Sequence, residues 1–254
     1  VIGIDDDGIG QNVEDVFSLF DEHTELPVEL PLEAVAAGKS FDFENVYVET
    51  ARGGRVTING TINPVTSDHT AGGSLLTFRD VSELKQMSQT IEYQASHDSL
   101  TGLMNRDEFF VRLRQLSDDA QKNNQIHTFL YVDLDQFKVV NDVCGHLAGD
   151  ELLRQVSKEL ETILAEEHLS ARLGGDEFGV LLLNTPLAEG LRLGTHVQQN
   201  LDRKFIWQKN AFHITASVGI VPVAGVNADP YGILAAADDA CYLAKEAGGN
   251  TTKV

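Results

Sequence analysis

The rhythm of apolar and polar positions divides the chain into three stretches. Up to about residue 80 it runs in short β-rich segments, FENVYVET, GRVTINGTINPV and GGSLLTFRDV, separated by Gly, Asn and Asp turns. This pattern predicts a meander of antiparallel strands over residues 1–80. From Val81 the texture changes: Val81, Leu84, Met87 and Ile91 recur at the three- and four-residue spacing of a helical seam, which predicts a connecting helix over 81–96.

Over 97–254 helical and strand patterns alternate. RDEFFVRLRQLSDDAQ is amphipathic, with Phe109, Leu113 and Leu116 on one face, and HTFLYVDLD reads as a buried strand that ends in acids. GDELLRQVSKELETIL repeats apolar residues at Leu152, Leu153, Val156, Leu160, Ile163 and Leu164, the pattern of a long helix. A hairpin around Gly174-Gly175 follows, then a helix over roughly 187–203, a strand FHITASVGIVPV, and a last helix YGILAAADDACYLAKEAG that stops at Gly248-Gly249. No internal repeat or low-complexity tract is visible.

Composition adds bounds. A chain of 254 residues with 42% hydrophobic and 23% charged content is ordinary for globular protein, and its length suits two domains of about 100 to 150 residues. The net charge of −20 argues against a general nucleic-acid surface and against an anionic membrane partner. An anionic ligand would have to be held by local Lys, Arg or metal. Cys144 and Cys241 have no CxxC spacing, so neither a zinc site nor a disulfide framework is suggested, and a reducing cytosol fits. No apolar run approaches the roughly 18 residues of a membrane span, and no signal-peptide pattern follows Val1. A cytoplasmic location is expected, with any membrane tether lying in other segments of a longer protein.

The chemistry-bearing residues lie in the third stretch. In SARLGGDEFGVLLL the glycines explain a hairpin turn but leave Asp176 and Glu177 unexplained, because adjacent acids repel unless a cation sits beside them. FLYVDLD ends in Asp133 and Asp135, which point to the same side of a strand, with Asp133 the better placed because the chain turns at Asp135. If that strand end meets the hairpin tip, Asp133, Asp176 and Glu177 form an oxygen-only set. Such a set suits Mg²⁺, which takes one or two carboxylates and completes its octahedron with water and substrate phosphates. Taken alone, an acidic hairpin tip is a solvated turn; other motifs shift that balance.

SHDSLTGLMNRDEF (96–109), DLDQFKVVNDVCGHLAGDELL (133–153), RLGGDEF (172–178) and CYLAKEAGGN (241–250) occur in an order and spacing that closely resemble the GGDEF family of diguanylate cyclases. The resemblance covers residues 97–254. It implies an α+β fold like the palm of nucleotide cyclases, a central mainly antiparallel sheet flanked by helices. It further implies that two GTP molecules, one on each of two facing domains, condense into cyclic di-GMP with release of pyrophosphate. Carried over by motif, Asp133, Asp176 and the carbonyl of Leu134 resemble the ligands of two Mg²⁺ or Mn²⁺ ions, Glu177 resembles a further metal ligand or a general base, and Asp176 and Glu177 are the two candidates for the catalytic base. Asn141 and Asp150 resemble the pair that reads guanine, and Phe137 and Lys138 the loop that cradles the phosphates. Lys245 resembles a further phosphate contact. Asn105 reads as a helix cap, Asp98 with Arg106 as ordering the junction after the linker, His146 as a packing or hydrogen-bonding residue and Cys144 as a small buried one.

Two departures stand out. Many family members carry Arg where this chain has Gly249, and the RxxD positions of product-inhibited members are here Ala165, Glu166, Glu167 and His168. Ala cannot replace an Arg that clamps phosphate, so no product-inhibition site is expected. The first stretch resembles a PAS sensor domain, short or partial, through its β-rich runs, EDVFSLFDEHT and FRDVSELK, with too few residues between IDDDG and EDVF and no ligand indicated. His23 and His69 lie in polar loops unsuited to haem. A homodimer through this domain and the Leu84–Ile91 seam would bring two half-sites face to face; the alternative is that the seam packs on its own domains. The rival to a cyclase is a GTP-binding regulatory module with weak or no turnover, controlling an EAL phosphodiesterase domain that would begin where this chain ends.

Overall fold

The computed structural model of the chain describes residues 18–49, 54–67, 70–165, 167–224 and 229–254. The expectations placed on IDDDG, on residues 14–17 of EDVFSLFDEHT, on His69 and on Glu166 fall outside the described residues. The chain divides into two compact units, residues 1–91 and 92–254.

The first unit contains β1 (Leu19–Asp21), β2 (Pro27–Val28), α1 (Leu32–Ala36), β3 (Phe41–Glu49), β4 (Arg55–Ser67) and β5 (Thr70–Asp80). The strands form one antiparallel sheet in the order β2-β1-β3-β4-β5, with β3, β4 and β5 as the expected meander. Val46, Val48, Ile58 and Ile62 are buried with Leu30 and with Val35 of α1. Val65 and Leu75 remain exposed, the alternation of a sheet packed on one face. At the end of β5 the Asp80 carboxylate accepts from the Ser82 N–H at 2.9 Å, and the Ser82 hydroxyl accepts from the Thr57 N–H at 2.9 Å. These bonds start α2 (Ser82–Ser96), within which the boundary between the units falls. No residue of α2 is buried, and Leu84 and Ile91 are 67% and 65% exposed. The predicted seam therefore divides, with Val81 in the core and Leu84, Met87 and Ile91 exposed.

The second unit follows with α3 (Arg106–Asn123), β6 (His127–Asp135), α4 (Phe137–Cys144), α5 (His146–Ile163), β7 (Leu169–Gly174), β8 (Glu177–Leu182), α6 (Leu187–Leu201), β9 (Arg203–Trp207), β10 (Asn210–Val223), α7 (Pro230–Glu246) and β11 (Thr252–Lys253). The sheet order is β11-β10-β6-β8-β7, with β9 as a hairpin on β10, and only the β10–β11 pair is parallel. Three elements differ from the sequence expectation. Helix α4 forms directly after β6, where a turn was expected at 136–138; β9 forms over residues that, apart from Arg203, carried no assignment, with Phe205 in the core; and β11 was not foreseen.

Helices cover both faces of this sheet. Leu130, Val132 and Leu134 of β6 pack with Val140, Leu152, Val156 and Val197 of α4, α5 and α6, while Phe129 and Tyr131 pack with Phe109 of α3 and Ala237 and Cys241 of α7. By the two-residue period of a strand, Asp133 falls on the α3/α7 side. Helix α7 approaches the sheet closely because, beyond Ile233, its buried face is Ala237, Ala240, Cys241 and Ala244. Opposite them lies Gly219, where a Cβ would stand 2.0 Å from the Ala237 carbonyl oxygen.

Candidate active site

The end of β6 and the β7–β8 hairpin are held together by register. Asp133 lies opposite Glu177 on β8 and opposite Ser217 on β10, so the two carboxylates rise from one face. The turn itself is Gly175-Asp176, since β7 ends at Gly174 and β8 starts at Glu177; Gly175 has φ +50°, a conformation suited to glycine. The Leu134 N–H donates to the Asp176 carbonyl at 3.3 Å, tying the tip to the strand end.

Asp133 is 8% exposed, and its two oxygens have different surroundings. Oδ2 accepts from the Lys245 ammonium at 2.6 Å, whereas Oδ1 is buried with no hydrogen-bond partner. Burial pushes the Asp133 carboxyl up to about 6; Lys245 opposes the shift, and Asp176 and Glu177 add to it. For Lys245, burial works against the charge, but the hydrogen bond to Asp133 and its charge outweigh it and raise the ammonium above its usual range. Tyr131, two residues before Asp133 on the same face, is raised by burial and by hydrogen bonding to the Glu177 carboxylate. It is the site residue that sequence reasoning missed: its place in an apolar run marks it as core, and only the register beside Glu177 reveals its second contact.

Among the described residues no three or more His, Cys, Asp or Glu side chains converge into a set that could hold a metal ion. The expected three-acid cluster is therefore an open arrangement, with the Lys245 ammonium on Asp133. This donor set still fits Mg²⁺ or Mn²⁺, which need only one or two carboxylates and take the remainder from water and phosphate; the unpartnered, buried Oδ1 of Asp133 is the observation that supports the fit.

Asp135 has a different task from the one its position suggested. The strand continues through it, and its carboxylate accepts from Thr215 Oγ1 at 2.7 Å, Ser217 Oγ at 2.8 Å and the Asn250 N–H at 2.9 Å. Asn250 in turn donates to Asp202 at 2.8 Å, and Asp202 is bonded to His213 Nε2 at 2.6 Å. Asp135 thus locks the turn after α7. Gly249 sits in that turn with φ +74°, where a Cβ would come within 3.1 Å of the Asp135 carboxylate. At this position the backbone itself favours glycine over the Arg common in the family.

Helix α4 begins directly after β6, behind Gln136 at φ +61°, and no side chain caps it. The N–H groups of its first turn, including those of Phe137 and Lys138, therefore point toward the strand end with the positive end of the helix dipole. Phe137 is half-buried and Lys138 exposed. Asn141 has a buried Oδ1 without a partner, and Gly149 of α5 packs so near that a Cβ would lie 2.1 Å from that oxygen. Asp150, half-buried, follows Gly149 on the same helix.

The segment before α3 braces the hairpin. Asp98 accepts from the N–H and hydroxyl of Thr101 at 2.9 and 2.8 Å and pairs with Arg172 at 3.2 Å. Arg172 also donates to the Gly175 carbonyl at 3.1 and 2.8 Å. The expected partner, Arg106, instead lies over the Phe110 ring. Burial alone would raise the Asp98 carboxyl, but Thr101 and Arg172 hold it below its usual range. Asn105 caps α3 as expected, accepting from the Glu108 N–H at 3.0 Å. His146 is exposed rather than packed, and Cys144 is half-buried, its sulfur accepting from Asn210 Nδ2 at 3.2 Å.

A buried carboxylate with an open oxygen, a lysine, hairpin acids and an uncapped helix start give this end of the sheet the chemistry of a site for phosphates and cations. Residues 95–251 match the family model for the diguanylate cyclase GGDEF domain, and the chain belongs to that family. It is 36% identical over 207 residues to the "Probable diguanylate cyclase DgcE" of Escherichia coli strain K12, covering 81% of this chain and 19% of that protein. It is 30% identical over 179 residues to the "Cyclic di-GMP phosphodiesterase PdeB" of Shewanella oneidensis, covering 70% of this chain and 20% of that one. The chain thus spans about a fifth of the length of these curated relatives. Among solved structures, diguanylate cyclase SiaD of Pseudomonas aeruginosa, in complex with its activator SiaC, superposes with a TM-score of 0.60 at 30% identity, over 66% of this chain and 65% of that one. Among the described residues no helix is long and apolar enough to cross a membrane.

Proposed function

We propose that this chain is a diguanylate cyclase: it condenses two GTP molecules into cyclic di-GMP, with release of two pyrophosphates. The 3′-hydroxyl of each GTP attacks the α-phosphorus of the other, a P–O bond forms, and the bond to the β-phosphate oxygen breaks. Each domain supplies half of the site. The observation that carries the reading is the state of Asp133, buried at the strand end with one unpartnered oxygen beside the Asp176–Glu177 hairpin. A structural role leaves that carboxylate unexplained, since burying it disfavours its charge.

In this reading Asp133, Asp176 and the Leu134 carbonyl hold Mg²⁺ or Mn²⁺, two ions per half-site. When bound, these ions supply charge neutralisation at the phosphates and at the attacking oxygen. Glu177 accepts the 3′-hydroxyl proton or joins the metal set, and Tyr131 orients it by donating to its carboxylate. Phe137 and Lys138 receive the phosphates at the start of α4, favoured by its open N–H groups. Asn141 and Asp150 read the guanine edge: the unpartnered Asn141 oxygen and the Asp150 carboxylate are acceptors for the base N–H groups. No product-inhibition site is proposed, because Ala165 and His168 stand where Arg and Asp would be needed.

Residues 1–80 serve as a PAS-like sensor, 81–96 as the linker and 97–254 as the catalytic domain, working as a homodimer in the cytoplasm. The one-faced sheet and the exposed Leu84, Met87 and Ile91 of α2 support this assignment, since an exposed apolar seam suits a second copy. A second reading, a GTP-binding module regulating an EAL domain, draws on Gly249 and on the relative named as a phosphodiesterase. Incubation with Mg²⁺ and either GTP or ATP, followed by chromatographic separation, tests the choice. Cyclic di-GMP and pyrophosphate in a ratio of one to two from GTP are expected, and bound but unconverted GTP would select the second reading.

A further inference from the structure

We infer that the Lys245 ammonium is a resident substitute for the divalent cation: it occupies Asp133 until metal and nucleotide arrive together, then passes to the nucleotide phosphates. The inference rests on the proposed cyclase site and deepens it.

Three features on α7 and β6 carry it. Asp133 cannot stay buried and ionised without a cation beside it, and Lys245 Nζ at 2.6 Å is the cation it has. Only one carboxylate oxygen is used, since Oδ1 is buried and unpartnered. The lysine satisfies the charge but leaves a metal-binding valence open. Third, the lysine is anchored at its root and loose at its tip. The small-residue face of α7 brings the helix onto Gly219 of β10, and Cys241, one turn before Lys245, donates from its sulfur to the Ser217 carbonyl at 3.3 Å. The Lys245 side chain is nonetheless 42% exposed, and a four-carbon stem with rotatable donors can leave one acceptor for another without moving the helix.

The exchange has a thermodynamic consequence. A divalent ion reaching the open Oδ1 alone meets the ammonium's positive charge on Oδ2 of the same carboxylate, so metal by itself binds weakly unless the ammonium leaves for water. Once triphosphate is present, the displaced ammonium has a new anionic partner, and metal binding strengthens. By linkage, metal must strengthen nucleotide binding by the same factor. Lys245 would thereby act as a positioning residue that keeps the site closed to free metal ions and couples the two ligands.

Mn²⁺ binding followed by the electron paramagnetic resonance signal of the free ion tests this on the full chain, with and without α,β-methylene-GTP, which binds but cannot react. Wild type should bind Mn²⁺ on the order of tenfold more tightly with the analogue than without it. Lys245→Met should bind Mn²⁺ alone roughly tenfold more tightly than wild type and lose most of the coupling. Lys138→Met removes an equal charge without touching Asp133, so it should change metal affinity in the absence of nucleotide far less. An unchanged or weaker Mn²⁺ affinity in Lys245→Met, or an equal rise in both variants, overturns the exchange. Production of cyclic di-GMP by wild type is scored separately: a cyclase without metal–nucleotide coupling removes this inference and leaves the proposed function, whereas coupling without product removes the function and leaves the exchange.

Discussion

Both units are built on antiparallel sheets, but the first is packed on one face and the second on two. In the first unit the Arg55–Glu25 pair at 2.9 Å is more than half exposed on both sides, and such pairs contribute little, while the Lys85–Glu22 pair is half-buried. The second unit closes helices over both faces, so a charged group on its central strand loses water and has to be balanced. Asp133 is that group, and it is where the chemistry gathers. In the doubly covered sheet Asp135 is balanced fully by its hydrogen bonds, whereas Asp133 keeps one oxygen unpartnered, and that difference separates a structural carboxylate from one that calls for a function.

Asp176→Ala should break this contrast most sharply, lowering cyclic di-GMP formation by about a thousandfold or more while far-ultraviolet circular dichroism and melting stay at wild-type values. Turnover within tenfold of wild type would place the chemistry elsewhere. Next, Gly219→Val should destabilise the doubly covered sheet by roughly 3 kcal/mol or more, because the added carbons meet the backbone of α7. Val65→Ala on the exposed face of the first sheet should stay within about 0.5 kcal/mol in the same urea titration.

Asp133→Asn should stabilise the protein at pH 8 by on the order of 2 kcal/mol, a gain that fades toward pH 4. Burial raises the folded carboxyl to about 6 from an ordinary 3.8, so the folded state takes up a proton more readily than the unfolded one. Ionised Asp133 thus lowers stability above pH 6, and the penalty vanishes as pH falls below the unfolded value. Urea melts at pH 8 and pH 4.5 that show no difference in the effect of the substitution would contradict the burial argument.

A smaller change is expected from Asp150→Ala, which should reduce the preference for GTP over ATP by about tenfold, read from competing conversion of the two nucleotides. Leu84→Ser with Ile91→Ser should leave chain stability within about 0.5 kcal/mol yet weaken self-association in sedimentation. Unchanged self-association would remove α2 from the dimer contact.

What could be read from the sequence followed from period and motif. The buried strand 127–135 was legible because its apolar run ends abruptly in acids, and α3 because Asn105 precedes a clean helical face. Helix α4 was not, since its eight residues are a short span directly after the strand, and the resemblance of residues 136–138 to a phosphate-cradling loop drew the reading away from the helical spacing of Phe137, Val140 and Cys144. The Asp133–Lys245 pair joins positions more than a hundred residues apart, and only the close approach of α7 at Gly219 brings them together. Asp135 illustrates the limit of periodicity, which puts it on the right face but says nothing of Thr215, Ser217 and Asn250 waiting there.

The most direct test of the account is the initial rate of cyclic di-GMP formation from GTP and Mg²⁺ as a function of chain concentration. Two half-sites acting together predict a rate that rises faster than linearly at low concentration and becomes linear once the dimer is saturated. GTP that binds at every concentration and is never converted would contradict it.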